Sequence, residues 1–391
     1  MLLREFAFAD GMSAQLQHGM ALRIENGHIA WLGPDGDADP KGSQEVIDAS
    51  GATLIPALVD GHSHLVLQGG AHWIDRGADP PDRLREVARQ NANRLAQAGI
   101  LWARDVGAPS VDGKALNVEM RDALRDTPGQ PYIRAAGTWV AKSGYLEPLT
   151  LSAKDGAELE ALALEQLDRG ADFVKIMLDP PGGGETAPFS VEEVKKVCEA
   201  VHARGRRITA HATIQAGARV GAEAGVDSIE HGFAIDDDIA RTMVRNNIAL
   251  VTTLSVIASW ETFAKTTRVE RFTADEGRAR LANRREQAFA AVMAAHKAGV
   301  RIATGSDFGG GSVRAGHLAW EVELLVGAGL EPWEALSAAT WRGGEVLGEP
   351  YAGRVQEGAP ADFVLVHGDP LSDPSTLWRV WSVFRSGTQI A

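Results

Sequence analysis

The chain has 391 residues, of which 45% are hydrophobic and 23% are charged, as is typical of a globular protein with one large core. Its formal net charge of −13 argues against nucleic acid or an anionic membrane surface as a partner, because both would repel it. The single cysteine, Cys198, excludes an internal disulfide, and no apolar run approaches the ~20 residues that span a bilayer, so we expect a cytoplasmic protein without a membrane partner.

Both ends of the chain predict β-strands. Near the start, Asn26-Gly27 separates two runs of alternating polarity, which is a strong signal for a type I′ hairpin. Near the other end, residues 362–367 and 380–385 have strand character and are separated by Gly, Asp and Pro. Neither end carries enough apolar residues for its own core. We therefore predict that residues 1–53 and 347–391 pair into one small β-domain.

The middle of the chain, residues 54–346, alternates strands with helices. The predicted strands are residues 53–59, 100–105, 132–140, 173–178, 207–212, 228–231, 249–254 and 301–304. Amphipathic helices are predicted between them, at residues 82–98, 157–169, 191–204 and 279–297, and Ser190 with Glu193 forms a capping box before the third. This pattern predicts an α/β fold of the (β/α)8 TIM-barrel type. The rival is a doubly wound open sheet, but no Gly-x-Gly-x-x-Gly follows the first strand.

The ends of five predicted strands carry groups that could bind a metal, at the edge where a barrel places its active site. These groups are His62 and His64, Lys175, His211, His231 and Asp307. Each alone has an ordinary alternative: a hydrogen-bonded histidine, a helix cap for Asp307, or an ion pair of Lys175 with Asp172 or Asp179. Together they suit zinc or a related ion. Six ligands exceed the needs of one zinc and favour two ions about 3.5–4 Å apart.

Several strings of the chain resemble the motifs of the amidohydrolase superfamily. Residues 54–64, Leu-Ile-Pro-Ala-Leu-Val-Asp-Gly-His-Ser-His, resemble its opening motif. Residues 171–177, 208–211, 227–232 and 303–307 resemble its Lys, His, His and Asp motifs in order, and residues 358–371 resemble the strand that closes its β-domain. The resemblance is greatest to the branch with prolidase-like and Xaa-Arg/Lys carboxypeptidase enzymes.

The resemblance implies a fold and a metal site. It implies a TIM barrel with a small β-sandwich built from both chain ends. His62, His64 and Asp307 would bind the more buried of two divalent ions, and His211 and His231 would bind the second. Lys175 would be carboxylated by CO2, so that its carbamate bridges the ions; an ammonium between two cations would be repelled. Zinc is the expected metal, although manganese and cobalt accept the same ligands. Relatives commonly form symmetric assemblies, which leaves a homo-oligomer open.

The predicted reaction is hydrolysis of an amide-type bond in a small molecule: a dipeptide, an N-acyl amino acid, an aryl amide or a carbamate. A metal-bridged hydroxide would attack, and Asp307 would take its proton and deliver it to the leaving group. One alternative is a lactone or cyclic-imide hydrolase or a deaminase, although deaminating relatives usually lack the lysine at position 175. The other is a non-catalytic scaffold, although scaffolds lose metal ligands.

Substrate recognition is predicted less directly. Tyr145 lies where many relatives have a Gly-Gly-His stretch, and Thr213 replaces an aromatic residue or histidine of peptidase-like relatives. These departures argue against a substrate with a C-terminal amino acid. Arg314 and His317 follow the last strand closely and could contact a carboxylate of the substrate. Together with Tyr145 they are the candidate substrate-binding residues.

Overall fold

The structure, a computed structural model, describes residues 1–39 and 45–391. It has a mixed α/β fold. The strands are β1 (Leu2–Phe8), β2 (Gln17–Glu25), β3 (His28–Pro34), β4 (Val46–Asp48), β5 (Ala52–Pro56), β6 (Leu58–Ser63), β7 (Ile100–Asp105), β8 (Ser110–Val111), β9 (Lys114–Ala115), β10 (Tyr132–Ala135), β11 (Val140–Lys142), β12 (Leu151–Ala153), β13 (Val174–Met177), β14 (Ile208–Ala212), β15 (Ser228–His231), β16 (Ala249–Thr252), β17 (Ile302–Thr304), β18 (Phe363–His367), β19 (Val380–Arg385) and β20 (Thr388–Gln389). The helices are α1 (Trp73–Arg76), α2 (Pro81–Gln97), α3 (Leu116–Leu124), α4 (Gly156–Asp168), α5 (Val191–Ala203), α6 (Gln215–Ala224), α7 (Asp237–Arg245), α8 (Leu254–Thr266), α9 (Glu270–Thr273), α10 (Asp275–Ala298), α11 (Leu318–Ala328), α12 (Pro332–Ala338) and α13 (Trp341–Leu347).

Strands from the two chain ends form one eight-stranded sheet. Its order is β20-β19-β18-β5-β1-β2-β3, and β4 pairs with β1. The two ends meet where β18 runs antiparallel to β5, with Phe363 opposite Pro56. The sheet buries its own apolar cluster, in which the rings of Phe363 and Phe384 stack with centroids 4.6 Å apart. Pairing gives both short terminal segments a shared core that neither could bury alone.

Two parallel sheets position the candidate site, and β8 and β9 form a separate antiparallel pair. One sheet has the order β10-β7-β6 and the other the order β12-β11-β13-β14-β15-β16-β17. Every pairing within these two sheets is parallel. A parallel bridge between Ser63 and Phe308 joins the end of β6 to the segment after β17. Parallel strands that follow chain order and alternate with helices are consistent with a TIM barrel.

Two of the local predictions are confirmed at single turns. Between β2 and β3, Asn26 and Gly27 have φ values of 51° and 78°, and positive φ at both positions is what a type I′ turn requires. At the start of α5, Ser190 and Glu193 form the predicted capping box, in which each side chain accepts a hydrogen bond from the other residue's backbone N–H.

Two predicted strands are each divided in the structure. Residues 53–59 were predicted as one strand, but β5 belongs to the sheet of the chain ends and β6 to a parallel sheet. The backbone changes partners between them, since Ala57 N–H bonds to Asp362 and Leu58 N–H bonds to Gly99. The predicted strand 132–140 is interrupted at Gly137, where φ is 78° and a side chain would collide with Gln166.

The core contains the single cysteine. Cys198 is buried on α5 within the large apolar cluster, and burial raises the pKa of its thiol to about 12, as expected of a core residue rather than a nucleophile. In the described part of the chain, no helix is both long and apolar enough to cross a membrane.

Candidate active site

The six predicted metal ligands lie around one cavity at the C-terminal ends of the parallel strands. The cavity has a volume of about 240 Å³, and its lining includes His62, His64, Lys175, His211, His231 and Asp307. Neighbouring strands bring them together in register, since His231 on β15 pairs with Ala212, next to His211 on β14. Residues far apart in the sequence therefore converge because parallel strands end at a common edge.

Three of these residues are close enough to share one ion. The Oδ1 atom of Asp307 lies 3.2 Å from Nε2 of His64 and 3.5 Å from Nε2 of His62. One ligand atom from each lies within 4.8 Å of the others, and all three residues are buried. Two imidazoles and a carboxylate are a donor set that suits zinc and similar divalent ions. The residues present thus fit a metal ion.

Hydrogen bonds behind His62 and His64 orient their rings. Nδ1 of His62 donates to Glu230 at 2.6 Å, and Nδ1 of His64 donates to the carbonyl oxygen of Gly107 at 2.8 Å. Because both acceptors need a proton on Nδ1, the lone pair of each ring is on Nε2, which faces Asp307. Burial also holds the pKa of His62 well below its usual range, which keeps this ring in the neutral form that binds metals.

His211 and His231 form a second pair beside the first. Their ring centroids are 4.5 Å apart, and His231 lies 4.7 Å from His62. Nδ1 of His231 is 2.7 Å from the hydroxyl of Thr253, which leaves its Nε2 facing the cavity. Nε2 of His211 donates to Asp179 at 3.1 Å, which leaves its Nδ1 free to accept. A second ion could therefore be bound by Nδ1 of His211 and Nε2 of His231.

Lys175 is buried between these groups without a partner. It is 1% exposed, and its Nζ has no hydrogen-bond partner among the described residues. Burial lowers the pKa of Lys175 to about 8. The two proposed ion-pair partners bind other groups, because Asp172 pairs with Arg121 and Asp179 with His211. A buried amine left unpaired needs an explanation that the rest of the described chain does not supply.

A buried ion pair supports the site, and the sequence analysis did not predict it. Arg104 on β7 donates to Glu230 at 2.6 Å and to Ser228 at 3.1 Å, and Glu230 in turn accepts from His62. Burial opposes ionisation of Glu230, but the charges of Arg104 and Lys175 outweigh it and hold the pKa of this carboxyl below its usual range. The available signal was an arginine directly after the apolar run 100–103 of a predicted strand.

Replacing Arg104 by Met is expected to lower the free energy of unfolding by about 3–5 kcal/mol, because it leaves the charge of Glu230 buried without a cation. Urea denaturation followed by circular dichroism measures this. The matched control is Arg204→Met, which removes an exposed ion pair with Asp168 and should cost at most about 1 kcal/mol. Equal effects of the two substitutions would contradict a structural role for the Arg104–Glu230 pair.

The structure places only one of the three predicted substrate residues in this cavity. The hydroxyl of Tyr145 lies 3.2 Å from Nε2 of His211 and lines the cavity. Arg314 and His317 instead line a separate cavity together with Arg94. The Arg314 guanidinium donates to the carbonyl oxygens of residues 68 and 69, and the His317 ring packs against Trp378. These contacts hold both side chains away from the candidate metal ligands.

The cavity also has a wall and a cation that the sequence analysis missed. Its apolar wall is formed by Trp73, Trp139, Leu146, Met177, Phe233, Val256 and Trp260. The cation is Arg284 on α10, which is half-buried beside them. No sequence motif marks the wall or Arg284, because these residues are spread along the chain and are brought together only by packing.

Comparison with known proteins gives consistent matches over nearly the whole chain. Residues 53–390 match the Amidohydrolase family. An uncharacterized protein of Mycobacterium tuberculosis is 30% identical over 342 residues, which cover 86% of this chain and 84% of that protein. Ochratoxinase of Aspergillus niger is 30% identical over 409 residues, covering 92% of this chain and 81% of the enzyme. Among solved structures, a Xaa-Pro dipeptidase with bound methionine has a TM-score of 0.85 at 25% identity, covering 99% and 98% of the two chains.

Proposed function

Because the chain belongs to the amidohydrolase family and is a hydrolase that acts on C–N bonds, we propose that it cleaves an amide-type bond of a small molecule with the help of two divalent metal ions. The observation that carries this proposal is the convergence of His62, His64 and Asp307 on one point beside the partnerless amine of Lys175. A purely structural cluster would leave neither three ligand atoms facing one another nor a buried amine unpaired.

The proposed fold behind this site is a closed (β/α)8 barrel, residues 54–346, with a β-sandwich formed by residues 1–53 and 347–391. The parallel order of the strands and the bridge between Ser63 and Phe308 support closure. The separate apolar cluster of the sheet from the chain ends supports a second core.

The proposed metal site uses all six predicted ligands. His62, His64 and Asp307 would hold one ion, and His211 and His231 the other, with zinc as the expected metal. Lys175 would bridge the two after its amine has been carboxylated by CO2. This modification would replace a cation with an anion at a buried position where Nζ has no hydrogen-bond partner among the described residues, so it would give the orphaned group partners and offset part of the charge of the ions.

The bound ions would supply an activated water and polarise the scissile carbonyl. The protein's own groups would do the rest. Asp307 would accept the proton of that water on Oδ and pass it to the leaving nitrogen. The hydroxyl of Tyr145 stays protonated, because burial raises its pKa, so it can donate a hydrogen bond to the carbonyl oxygen as negative charge develops there. The tryptophans around the cavity exclude bulk water from the reacting bond.

The substrate class follows from the relatives only by analogy. Two relatives are by name an ochratoxinase and a Xaa-Pro dipeptidase. We therefore propose dipeptides, N-acyl amino acids and aryl amides as the first substrates to test.

Hydrolysis of one or more of these amides is the expected result, measured as release of primary or secondary amine by the purified protein. Dialysis against a chelator should reduce the rate to background, and adding zinc, manganese or cobalt should restore it, because the bound ions would supply the activated water. Full activity after removal of the metal would overturn the metal-dependent mechanism. Hydrolysis of lactones or cyclic imides with no amide cleaved would instead favour the alternative reaction on the same site.

A further inference from the structure

One cation in the cavity has no counter-charge of its own. Arg284 is half-buried on α10 and lines the cavity of the candidate metal ligands. Within residues 1–39 and 45–391 its guanidinium takes part in no hydrogen bond or ion pair, and its one ring contact is with Phe233, 5.7 Å from the ring centroid. Partial burial deprives its five N–H groups of water, which is costly unless a partner replaces that water.

The acidic groups of the cavity are held by other residues. Asp179 attracts Arg284 but accepts hydrogen bonds from His211 and from both the backbone N–H and the hydroxyl of Thr213. Asp307 lies against the imidazoles of His62 and His64. Arg284 therefore presents its charge to whatever enters the cavity, and the planar guanidinium is suited to binding a carboxylate through two parallel hydrogen bonds.

The position of Arg284 suits the binding of an anion at the mouth of the site. Besides the inner cavity, Arg284 lines two adjoining cavities, one beside Gly182–Gly184 and one beside Ala290 and Ala291 on α10. An anion held there would keep part of its hydration, so its desolvation would cost less than deeper in the cavity. The rest of the ligand would lie between the tryptophan side chains and Phe233, which favour large apolar or aromatic groups.

We propose that Arg284 determines the specificity of the enzyme by binding a carboxylate of the substrate, so that the substrates are carboxylate-bearing amides with a bulky apolar group. N-acyl amino acids and dipeptides with large side chains fit this description, whereas neutral aryl amides and carbamates do not. The inference rests on the proposed function, and it assigns to Arg284 the role that the sequence suggested for Arg314 and His317. It also includes substrates with a C-terminal amino acid, against which Tyr145 and Thr213 argued in the sequence.

The test compares two substrates with the same scissile amide, N-acetyl-L-phenylalanine and its decarboxylated analogue N-acetylphenethylamine. In the wild type, kcat/KM should be roughly 100-fold higher for the acid, as for other close charge pairs. Arg284→Met should reduce this preference to about threefold or less, because the loss falls mainly on the substrate that carries the carboxylate. Arg284→Lys should keep part of the preference, because it retains the charge but not the two-pronged geometry. The control, Arg285→Met, removes an exposed neighbour that pairs with Glu261 and should leave the preference unchanged.

Failure of this inference can be told apart from failure of the proposed function. If both substrates are cleaved but Arg284→Met keeps the preference, or the wild type prefers the neutral analogue, Arg284 does not bind the carboxylate and the hydrolase function stands. If neither substrate is cleaved, the role of Arg284 is tested by binding of the acid. Calorimetry and tryptophan fluorescence measure this binding. Roughly 100-fold weaker binding by Arg284→Met than by Arg285→Met supports the inference, and equal binding overturns it.

Discussion

Replacing Lys175 by Ala is expected to reduce the divalent ions bound per chain from about two to one or fewer, and to lower kcat/KM on amides by about 1000-fold or more. The reason lies in the surroundings of Nζ, which is fully buried and has no hydrogen-bond partner in the described structure. As a plain amine, Lys175 would destabilise the fold and repel cations nearby. As a carbamate it would offer two oxygens that share one negative charge. Elemental analysis of protein purified without chelator measures the change in metal content.

Comparing two substitutions separates loss of the carbamate from loss of packing. Lys175→Ala leaves a space that a short carboxylate such as propionate can enter, so added propionate should restore part of the metal content and activity. Lys175→Met fills the same space with an apolar chain and should not respond. Lys196→Ala, an exposed substitution on α5, is the control and should bind metal as the wild type does. Two ions per chain in Lys175→Met would remove Lys175 from the metal site.

The metal ligands could be predicted from sequence because they are metal-binding residue types at the ends of predicted strands. Imidazole, carboxylate and lysine side chains are uncommon at strand ends, so their recurrence at five of them was visible in the sequence before any packing was known. His211 and His231 are examples, since they lie at or next to the last residue of β14 and β15. The hairpin at Asn26-Gly27 was equally accessible, because a two-residue turn is governed by local backbone preferences.

Features that depend on packing between distant segments could not be predicted. The apolar run 53–59 gave no sign that its two halves belong to different sheets, because periodicity does not reveal which strand is the partner. Arg284 is one of several arginines on α10, and only the packing of that helix decides which one faces the cavity. Conversely, Arg314 follows Asp307 by a few residues, yet its bonds to the carbonyl oxygens of residues 68 and 69 turn it away. Beyond the end of a strand, closeness to Asp307 in the sequence did not predict closeness to the site.

Replacing Asp307 by Asn is expected to lower kcat on amide substrates by about 1000-fold or more while leaving the free energy of unfolding nearly unchanged. Asparagine has the shape of aspartate but cannot take up the proton of an activated water. The backbone accommodates this substitution, which also weakens one ligand of the proposed metal site. Asp307 has a φ of 49°, in the left-handed region that Asn tolerates as well as Asp and that most other residues avoid. Kinetics and urea denaturation of the same preparation measure the two effects.

Asp179 is the matched control, because it is the other carboxylate that lines the cavity. Its oxygens accept hydrogen bonds from His211 and Thr213, and although burial opposes ionisation, these bonds hold the pKa of Asp179 at about 2. A carboxyl with so low a pKa is a weak proton acceptor. Replacing it should affect kcat mainly by changing the position of His211. Asp179→Asn should therefore reduce kcat much less than Asp307→Asn. The reverse order would move the proton-accepting role to Asp179, and with it the point in the cavity where water is deprotonated.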